Sequence, residues 1–197
     1  MQKAIASIRK TYAKKKLLEA KAAADPFRQF AKWWKQALKA EIDEVNAMTL
    51  ATASAEGVPS ARIVLLKGYD ERGFVFFTNY ESYKGKDILE NPRACLVFFW
   101  KELERQVRIT GIIEKVSAAE SDEYYNSRPE GSRIGAWVSP QSQTIEGREW
   151  LEENERKYKA LLADKPITRP LHWGGYRVKP VKIEFWQDAY LPAVQYR

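Results

Sequence analysis

The sequence is poor in cysteine and histidine, and this scarcity excludes several kinds of chemistry. Among 197 residues there is one cysteine, Cys95, and one histidine, His172. A zinc site takes three or four nitrogen or sulfur ligands, so these two residues nearly exclude a metal site of that type. A Ser-His-Asp triad would have to use His172, which stands beside Trp173 and two glycines. We therefore expect any chemistry to come from a bound organic cofactor.

Long apolar segments are lacking as well. No run approaches the roughly 20 residues that span a bilayer, and the Lys-rich N-terminus has no apolar centre of a secretory signal. Cys95 cannot form an intrachain disulfide, and its apolar surroundings at 94–100 predict a buried core thiol. These features favour a cytoplasmic protein with no membrane partner.

The charge and the aromatic content are the strongest features of the composition. Lys and Arg total 33 against 26 acidic residues, a net charge of +7, and aromatic residues make up 13%. Such a surplus attracts nucleic acids, anionic membranes or phosphorylated small molecules without choosing among them. Acidic residues intersperse the scattered lysines, for example at 120–123 and 149–155, so nucleic acid is the weakest of these partners.

Hydrophobic periodicity divides the chain into an N-terminal helical segment, 1–45, and a β-rich remainder, 46–197, within one domain. Helical spacing covers 2–22 and then 25–42, where Asp25-Pro26 reads as an N-cap followed by proline at the first helical position. A period of two predicts strands at 47–54, 61–67, 74–79, 93–100, 105–116, 176–178 and 181–186. Further helices are predicted at 82–91, at 117–126, where Ser117 and Glu120 form a capping box, and at 147–164. Successive hairpins favour an antiparallel sheet that closes toward a barrel.

Three polar patterns suggest anion binding. In strand 61–67, Arg62 and Lys67 lie at opposite ends and on opposite faces, so they serve two anions or are solvated strand ends. At 77–86 a strand runs into a helix start, where hydroxyls and lysines hold a phosphate or form an ordinary cap. Residues Tyr124, Arg128 and Ser132 are spaced by four, which suits a phosphate monoester, although Pro129 and Gly131 interrupt the helix.

A fourth pattern is a polar residue in an apolar strand. Gln106 lies in a segment otherwise suited to burial, and a buried amide needs hydrogen-bond partners. The edge of a planar heterocycle is one such partner, and the protein backbone is another.

In this order the motifs resemble the pyridoxamine 5′-phosphate oxidase family, from about Ile8 to Gln187. The segments that carry the resemblance are ARIVLLK (61–67), FFTNYES (76–82), LERQVRI (103–109), SRPEGSRIGAWVSPQSQ (127–143), HWGGYRV (172–178) and IEFWQ (183–187). The resemblance implies an α+β fold, an antiparallel split β-barrel with flanking helices. It also implies a homodimer with two FMN molecules in clefts between the subunits.

The resemblance assigns site residues by position. Arg62, Thr78 and Lys84 correspond to FMN phosphate contacts, within a wider lining of Ile63, Val64, Leu65, Leu66, Lys67 and Phe77. Other flavin contacts correspond to Gln106, Gln141, Ser142 and Trp186. The substrate phosphate clamp corresponds to Lys67, Tyr124, Arg128 and Ser132, and an N-terminal segment that can cover the substrate corresponds to Arg9 and Tyr12.

The implied reaction is oxidation of pyridoxamine or pyridoxine 5′-phosphate to pyridoxal 5′-phosphate. Hydride passes from the C4′ carbon to flavin N5, and oxygen reoxidises the flavin to give hydrogen peroxide. The amine route also releases ammonia after imine hydrolysis. No side chain is assigned a catalytic role, because the flavin takes the hydride.

Two departures from the family pattern qualify this expectation. Tyr83 stands where the family usually has arginine, so one phosphate-facing cation is missing. After Gln187 the family continues through a short spacer to Arg-Leu-His-Asp-Arg, which has no counterpart here. Either the protein diverged or the sequence skips a segment, and 194–197 favour the second, because they resemble the family's residues just after that motif. We expect these 197 residues to bind both ligands but to turn over poorly, and the alternative function is binding with little or no turnover.

Overall fold

A computed structural model of the chain describes residues 5, 7, 8, 17–163, 165–187 and 192–197. After a 3-10 turn at Glu19–Lys21, the helices are α1 (Pro26–Lys39), α2 (Tyr83–Glu90), α3 (Ala118–Ser127), α4 (Glu130–Val138) and α5 (Arg148–Leu162). The strands are β1 (Ala47–Ala53), β2 (Pro59–Leu65), β3 (Gly68–Asp70), β4 (Gly73–Asn79), β5 (Arg93–Trp100), β6 (Arg105–Lys115), β7 (Trp173–Gln187) and β8 (Val194–Tyr196).

The sheet is antiparallel and curls until its two ends meet. Its strand order is β2-β1-β5-β6-β7-β4-β3, with β8 paired to β7. Strands β2 and β3 lie at opposite ends of this order, yet only Leu66 and Lys67 separate them in the chain. The Lys67 amide donates to the Val75 carbonyl at 2.8 Å, which ties the end of β2 to β4. The expected split barrel with flanking helices is confirmed, and its seam runs between β2 and β4.

Aromatic packing fastens α1 to the barrel. Asp25 caps this helix by accepting from the Arg28 amide at 2.7 Å, and Pro26 follows at the first helical position, as predicted. Phe30 is fully buried, and ring centroids lie within 4.8–6.1 Å of its own in Trp34, Tyr69, Phe74, Phe98 and Trp100. The helical segment therefore shares one hydrophobic core with the strands.

The prediction of two C-terminal strands was wrong, because β7 runs unbroken for 15 residues. Its pairing with β6 shifts register where Thr110 faces Lys182 and Gly111 faces Pro180. A bulge of this kind accommodates a proline, which has no N–H for the ladder. The strand therefore continues past Pro180 instead of ending there.

Other predicted elements differ in their bounds. Helix α1 ends at Lys39 rather than near Ile42. Most of the helix predicted at 2–22 lies outside the described residues, and the described part holds only the short 3-10 turn. No sequence pattern predicted α4, β3 or β8. Cys95 is half-buried instead of fully buried, because it points away from the face that its neighbours Ala94 and Leu96 bury.

Among the residues that the structure describes, no helix has the length and apolar character needed to cross a membrane.

Truncation of Phe30 tests whether α1 belongs to the same folding unit as the barrel. We expect Phe30→Ala to lower the free energy of unfolding by about 3–5 kcal/mol, because the cavity lies among five aromatic rings. Leu38→Ala on the same helix is the control, since Leu38 is 53% exposed and its loss should cost about 0.5 kcal/mol. Urea unfolding checks both, and equal costs would contradict a shared core.

Candidate active site

A cavity of about 540 Å³ opens at the seam of the barrel. Its wall contains four cations, and none of the described residues that line it is acidic. The lining is Arg62, Ile63, Val64, Leu65, Lys67, Phe77, Thr78, Lys84, Tyr124, Arg128, Pro129, Ser132, Gln141 and Trp173. Because β2 ends the sheet there, residues from both of its faces reach the cavity. The cavity thus has the charge of an anion site.

A second cavity of about 340 Å³ shares Lys67, Phe77 and Tyr124 with the first. Three carboxylates, Asp70, Glu120 and Glu123, are among its lining residues. Arg177, which is 5% exposed, binds Asp70 at 2.9 Å and Glu120 at 2.9 Å. Balanced charge makes this second cavity a poorer place for a phosphate.

Lys84 stands at one corner of the seam cavity, in the first turn of α2. Ser82 caps the helix by accepting from the Gly85 amide, and it also accepts from Lys84 Nζ at 3.2 Å. Gln141 Oε1 accepts from Lys84 Nζ at 2.9 Å and from Thr78 Oγ1 at 3.2 Å. Burial, and then the nearby positive charge of Arg62, lowers the pKa of Lys84 to about 8. The lysine therefore has neutral acceptors and a repelling neighbour.

Arg62 completes this first corner from β2. Its Nη1 donates to Thr52 Oγ1 at 2.7 Å and to the Leu50 carbonyl at 3.3 Å, and its Nη2 donates to Ser60 Oγ. Asp87 is the nearest acid, with its Oδ2 3.9 Å from Nη2. Burial lowers the pKa of Arg62, and the attraction of Asp87 only partly opposes this. Asp87 thus compensates the charge of Arg62 only weakly.

Arg128 marks the second corner, at the junction of α3 and α4. Its guanidinium carbon lies 4.5 Å from the centroid of the Trp173 ring and 6.0 Å from that of Tyr125. Its Nη1 is buried without a hydrogen-bond partner. Burial lowers the pKa of Arg128, and the two neighbouring tyrosines, Tyr124 and Tyr125, oppose the shift. A buried N–H group without a partner requires an explanation, and a bound anion would supply one.

Three nearly parallel rings form one wall of the cavity beside Arg128. The centroids of Phe77 and Tyr124 are 3.9 Å apart, and those of Phe77 and Trp173 are 5.6 Å apart. Gly175 permits this packing, since a Cβ there would lie 2.7 Å from Phe77 Cε1. Lys67 Nζ lies 5.9 Å from the Tyr124 centroid. One cation therefore lies near the Tyr124 ring, Lys67, and another near the Trp173 ring, Arg128.

A break between two helices at Arg128 determines how Tyr124, Arg128 and Ser132 come together. The sequence predicted that Pro129 and Gly131 interrupt the helix, and α3 does end at Ser127, with Pro129 in the N-cap position of α4. The three side chains lie on two helices and still line the same cavity. Proline is acceptable there because the first helical positions need no intrahelical N–H bond.

The remaining candidates lie elsewhere. Leu66 is 5% exposed in the core, and Ser142 lies in the 139–143 loop with a left-handed φ of 68°. Gln106 and Trp186 are paired neighbours on β6 and β7 and do not line the cavity. Arg9 and Tyr12 are outside the described residues. Trp173 lines the cavity and was missed, although the glycine pair after it signalled close packing.

FMN fits this donor set. Its phosphate is a dianion, and the first corner offers Arg62, Lys84 and the Thr78 hydroxyl, with the two cations close enough to depress a pKa. The second corner keeps another cation with a free buried N–H for a second anion. The cavity is thus suited to a phosphorylated cofactor beside a phosphorylated substrate.

Comparison with known proteins gives consistent results. The family model described as pyridoxamine 5′-phosphate oxidase matches residues 34–160, and that of the pyridoxine 5′-phosphate oxidase C-terminal dimerisation region matches 173–190. A pyridoxine/pyridoxamine 5′-phosphate oxidase of Bordetella pertussis is 62% identical over 93% of this chain and 86% of its own length. One from Trichormus variabilis is 56% identical over 95% of this chain and 87% of its own.

Solved structures show the same architecture. PhzG from Burkholderia lata, solved with tetrahydrophenazine-1-carboxylic acid, superposes with a TM-score of 0.86 at 26% identity, covering 94% of this chain and 93% of that one. A pyridoxamine 5′-phosphate oxidase-related, FMN binding protein from Nostoc punctiforme gives a TM-score of 0.68 at 17% identity, covering 88% and 90%. The second likeness bears on the fold alone.

The split barrel and the cationic cavity at its seam define an FMN-binding flavoprotein. Within that class, the chain belongs to the pyridoxamine 5′-phosphate oxidase family, and it is an oxidoreductase of that family.

The depressed pKa of Lys84 predicts that FMN affinity depends on pH. Below pH 8 the lysine of the free protein is charged, and a bound dianion raises its pKa by favouring that form. Affinity should therefore be flat between about pH 6.5 and 7.5, where the phosphate is a dianion and Lys84 is charged, and it should fall above pH 8, by at most about tenfold per pH unit. Lys84→Met should weaken binding and remove the dependence. Quenching of flavin fluorescence measures the affinity at each pH. The affinity for riboflavin, which lacks the phosphate, should show no such pH dependence. The same dependence with riboflavin would place Lys84 away from the phosphate.

Proposed function

We propose that this protein oxidises pyridoxamine 5′-phosphate or pyridoxine 5′-phosphate to pyridoxal 5′-phosphate with bound FMN. The observation that carries the proposal is the pair of cationic corners in one cavity, whose described lining contains no carboxylate. FMN brings one phosphate and the substrate brings another. When bound, FMN supplies the hydride acceptor, and its reoxidation by oxygen gives hydrogen peroxide.

The first corner suits the cofactor phosphate. Lys84 is 8% exposed and Thr78 is 6% exposed, so both are held by the fold and shielded from water. A charge-assisted hydrogen bond in such surroundings is stronger than at the surface. Arg62, Thr78 and Lys84 would bind FMN through its phosphate, and Gln141, which now accepts from Thr78 and Lys84, would contact the same molecule.

The second corner suits the substrate phosphate. Arg128 offers a planar set of N–H donors, Lys67 offers a second charge, and the exposed Ser132 offers a hydroxyl. The Tyr124 phenol lies on the same wall. These groups bind and orient the substrate, and they take no part in proton transfer. Their role is to hold the C4′ carbon where the flavin can accept its hydride, because hydride transfer depends steeply on position.

Two candidate flavin contacts point to a second copy of the chain. Gln106 and Trp186 lie on the outward face of the sheet, in the same alternation as Phe99, which pairs with Gln106 and is 53% exposed. Ile63, on the rim of the cavity, is 64% exposed and faces the same way. A homodimer would cover these apolar residues. It would also bring Gln106 and Trp186 of one subunit to the flavin of the other.

Two other functions compete with oxidation of these phosphates. One is binding of flavin and vitamin B6 phosphates with little or no turnover, the alternative that the sequence left open. The likeness to PhzG favours oxidation of a reduced polycyclic carboxylate. Identity of 62% to named pyridoxine/pyridoxamine 5′-phosphate oxidases, against 26% to PhzG, supports the phosphorylated substrate.

Anaerobic reduction of the bound flavin separates these functions, and Arg128→Ala locates the substrate phosphate. We expect pyridoxamine 5′-phosphate to bleach the flavin of the wild-type protein. In Arg128→Ala the half-saturating concentration should rise about 10- to 150-fold, because a charge-assisted contact is lost, while FMN affinity barely moves. Arg148→Ala, a 90% exposed side chain on α5, is the control.

Each competing function predicts a different outcome of this experiment. Binding of pyridoxamine 5′-phosphate without bleaching of the flavin would favour a binding protein with little or no turnover. Bleaching by tetrahydrophenazine-1-carboxylic acid alone would favour the PhzG-like reaction. Loss of flavin from Arg128→Ala with normal substrate affinity would reverse the two phosphate assignments.

A charged residue on the outward face tests the dimer. We expect Phe99→Lys to sediment as a monomer and to lose FMN affinity, because the second set of contacts departs with the partner. Leu89→Lys, which is 79% exposed on α2, should remain dimeric and yellow. Sedimentation velocity with flavin absorbance measures mass and cofactor together. A monomer that retains wild-type FMN affinity would place the whole flavin site within one chain.

A further inference from the structure

The Arg128 guanidinium lies closer to the ring of Trp173, at 4.5 Å, than to that of Tyr125, at 6.0 Å. Within the described part of the chain, Arg128 forms no ion pair, and only tyrosines oppose the lowering of its pKa. An unpaired arginine side chain keeps considerable rotational freedom. Something other than a carboxylate must therefore hold this cation at the wall of the cavity.

The geometry of the stack supplies that constraint. The guanidinium carbon is 4.5 Å from the Trp173 centroid, well inside the range of a cation–π contact. An aromatic ring lies against the face of the guanidinium and leaves the N–H groups at its edge available. Nη1 is buried and has no partner. The ring thus holds the cation without consuming the donors that a phosphate needs.

Trp173 is itself anchored on several sides. It is 7% exposed, and its carbonyl accepts from Arg169 Nη1 at 2.7 Å. The same arginine donates to Asp122 of α3 at 2.6 Å through Nε. The Trp173 plane lies within 14° of Phe77 and within 8° of Tyr124. The indole is therefore a rigid platform between β7 and α3.

We propose that Trp173 is a positioning residue for the substrate phosphate, and that it acts through Arg128 by fixing the guanidinium edge toward the cavity. This inference rests on the proposed role of Arg128. It predicts that Trp173 affects ligands that carry a phosphate and spares those that lack one. Its effect should also vanish when Arg128 is absent.

A double-mutant cycle on the flavin-loaded protein tests the inference by equilibrium binding. The probes are pyridoxal 5′-phosphate and pyridoxal, titrated by absorbance into wild type, Trp173→Leu, Trp173→Phe, Arg128→Ala and the Leu/Ala double variant. We expect Trp173→Leu to weaken pyridoxal 5′-phosphate about 5- to 30-fold and Trp173→Phe to recover most of the loss. Pyridoxal affinity should not change. In the Arg128→Ala background, Trp173→Leu should cost less than about twofold.

Fluorinated tryptophans at position 173 keep the test valid if Trp173→Leu does not fold. Fluorination weakens the attraction of the ring for a cation while it preserves the shape, so phosphate affinity should fall stepwise with the number of fluorines. Trp33→Leu is the matched control, because Arg105 lies 4.5 Å from the Trp33 ring, far from the cavity lining. That variant should lose stability and keep the preference for pyridoxal 5′-phosphate over pyridoxal.

The outcomes separate this inference from the proposed function. An equal loss for pyridoxal, or additive effects of Trp173 and Arg128, would show that Trp173 only supports the fold and would overturn the inference. No preference of the wild type for pyridoxal 5′-phosphate over pyridoxal would overturn both claims. If Trp173 and Arg128 are coupled but pyridoxamine 5′-phosphate does not reduce the flavin, the inference stands and the oxidase function is overturned.

Discussion

Repulsion among the cations at the seam is the constraint on which the site depends. Burial and then the charge of Arg62 lower the pKa of Lys84, and Asp87 is the only carboxylate among the described residues that approaches Arg62. The fold tolerates this arrangement because β2 pairs fully with β1 and because Ser82 caps α2. Burial of the aromatic core around Phe30 supplies the stability that the unpaired charges cost. A phosphate that enters the corner removes the repulsion, so cofactor binding and local stability are coupled.

The place of the site follows from the strand order. Since β2 and β3 are the two ends of one sheet and are consecutive in the chain, closure brings an unpaired edge of β2 against β4. An edge strand exposes both of its faces to a neighbouring cavity, which a central strand cannot do. Arg62, directed to one face, and Ile63, directed to the other, therefore line the same space. Side-chain alternation along β2 places Arg62 and Ile63 on opposite faces, but at the seam both faces border the same cavity.

Local patterns predicted most strands, the caps at Asp25 and Ser117, and the family assignment. They failed where a contact between residues distant in sequence determines the local structure. Pro180 looked like the end of a strand, and only the shift opposite Gly111 explains why β7 continues. Pro129 looked like a helix breaker, and in the structure it is the N-cap residue from which α4 starts. The motif of Ser117 and Glu120 predicted a closed capping box. Ser117 does accept from the Glu120 amide, but the Glu120 carboxylate binds Arg177 on β7 instead. Hydrophobic periodicity does not identify such partners, because they are distant in sequence.

The second phosphate corner shows how much of a site is built by residues that carry no charge. Arg128 is visible in the sequence as a cation, but its direction depends on Trp173, and the wall around Trp173 depends on two glycines. A Cβ on Gly174 would collide with the Tyr80 hydroxyl, and one on Gly175 would lie 2.6 Å from Val116 Cγ2 as well as against Phe77. The Trp-Gly-Gly segment is therefore a steric requirement of the aromatic stack. The stack in turn decides where a guanidinium with no carboxylate partner comes to rest. In this protein the position of a binding charge is set by apolar packing, because an acidic partner would hold the arginine and also repel the phosphate that it binds.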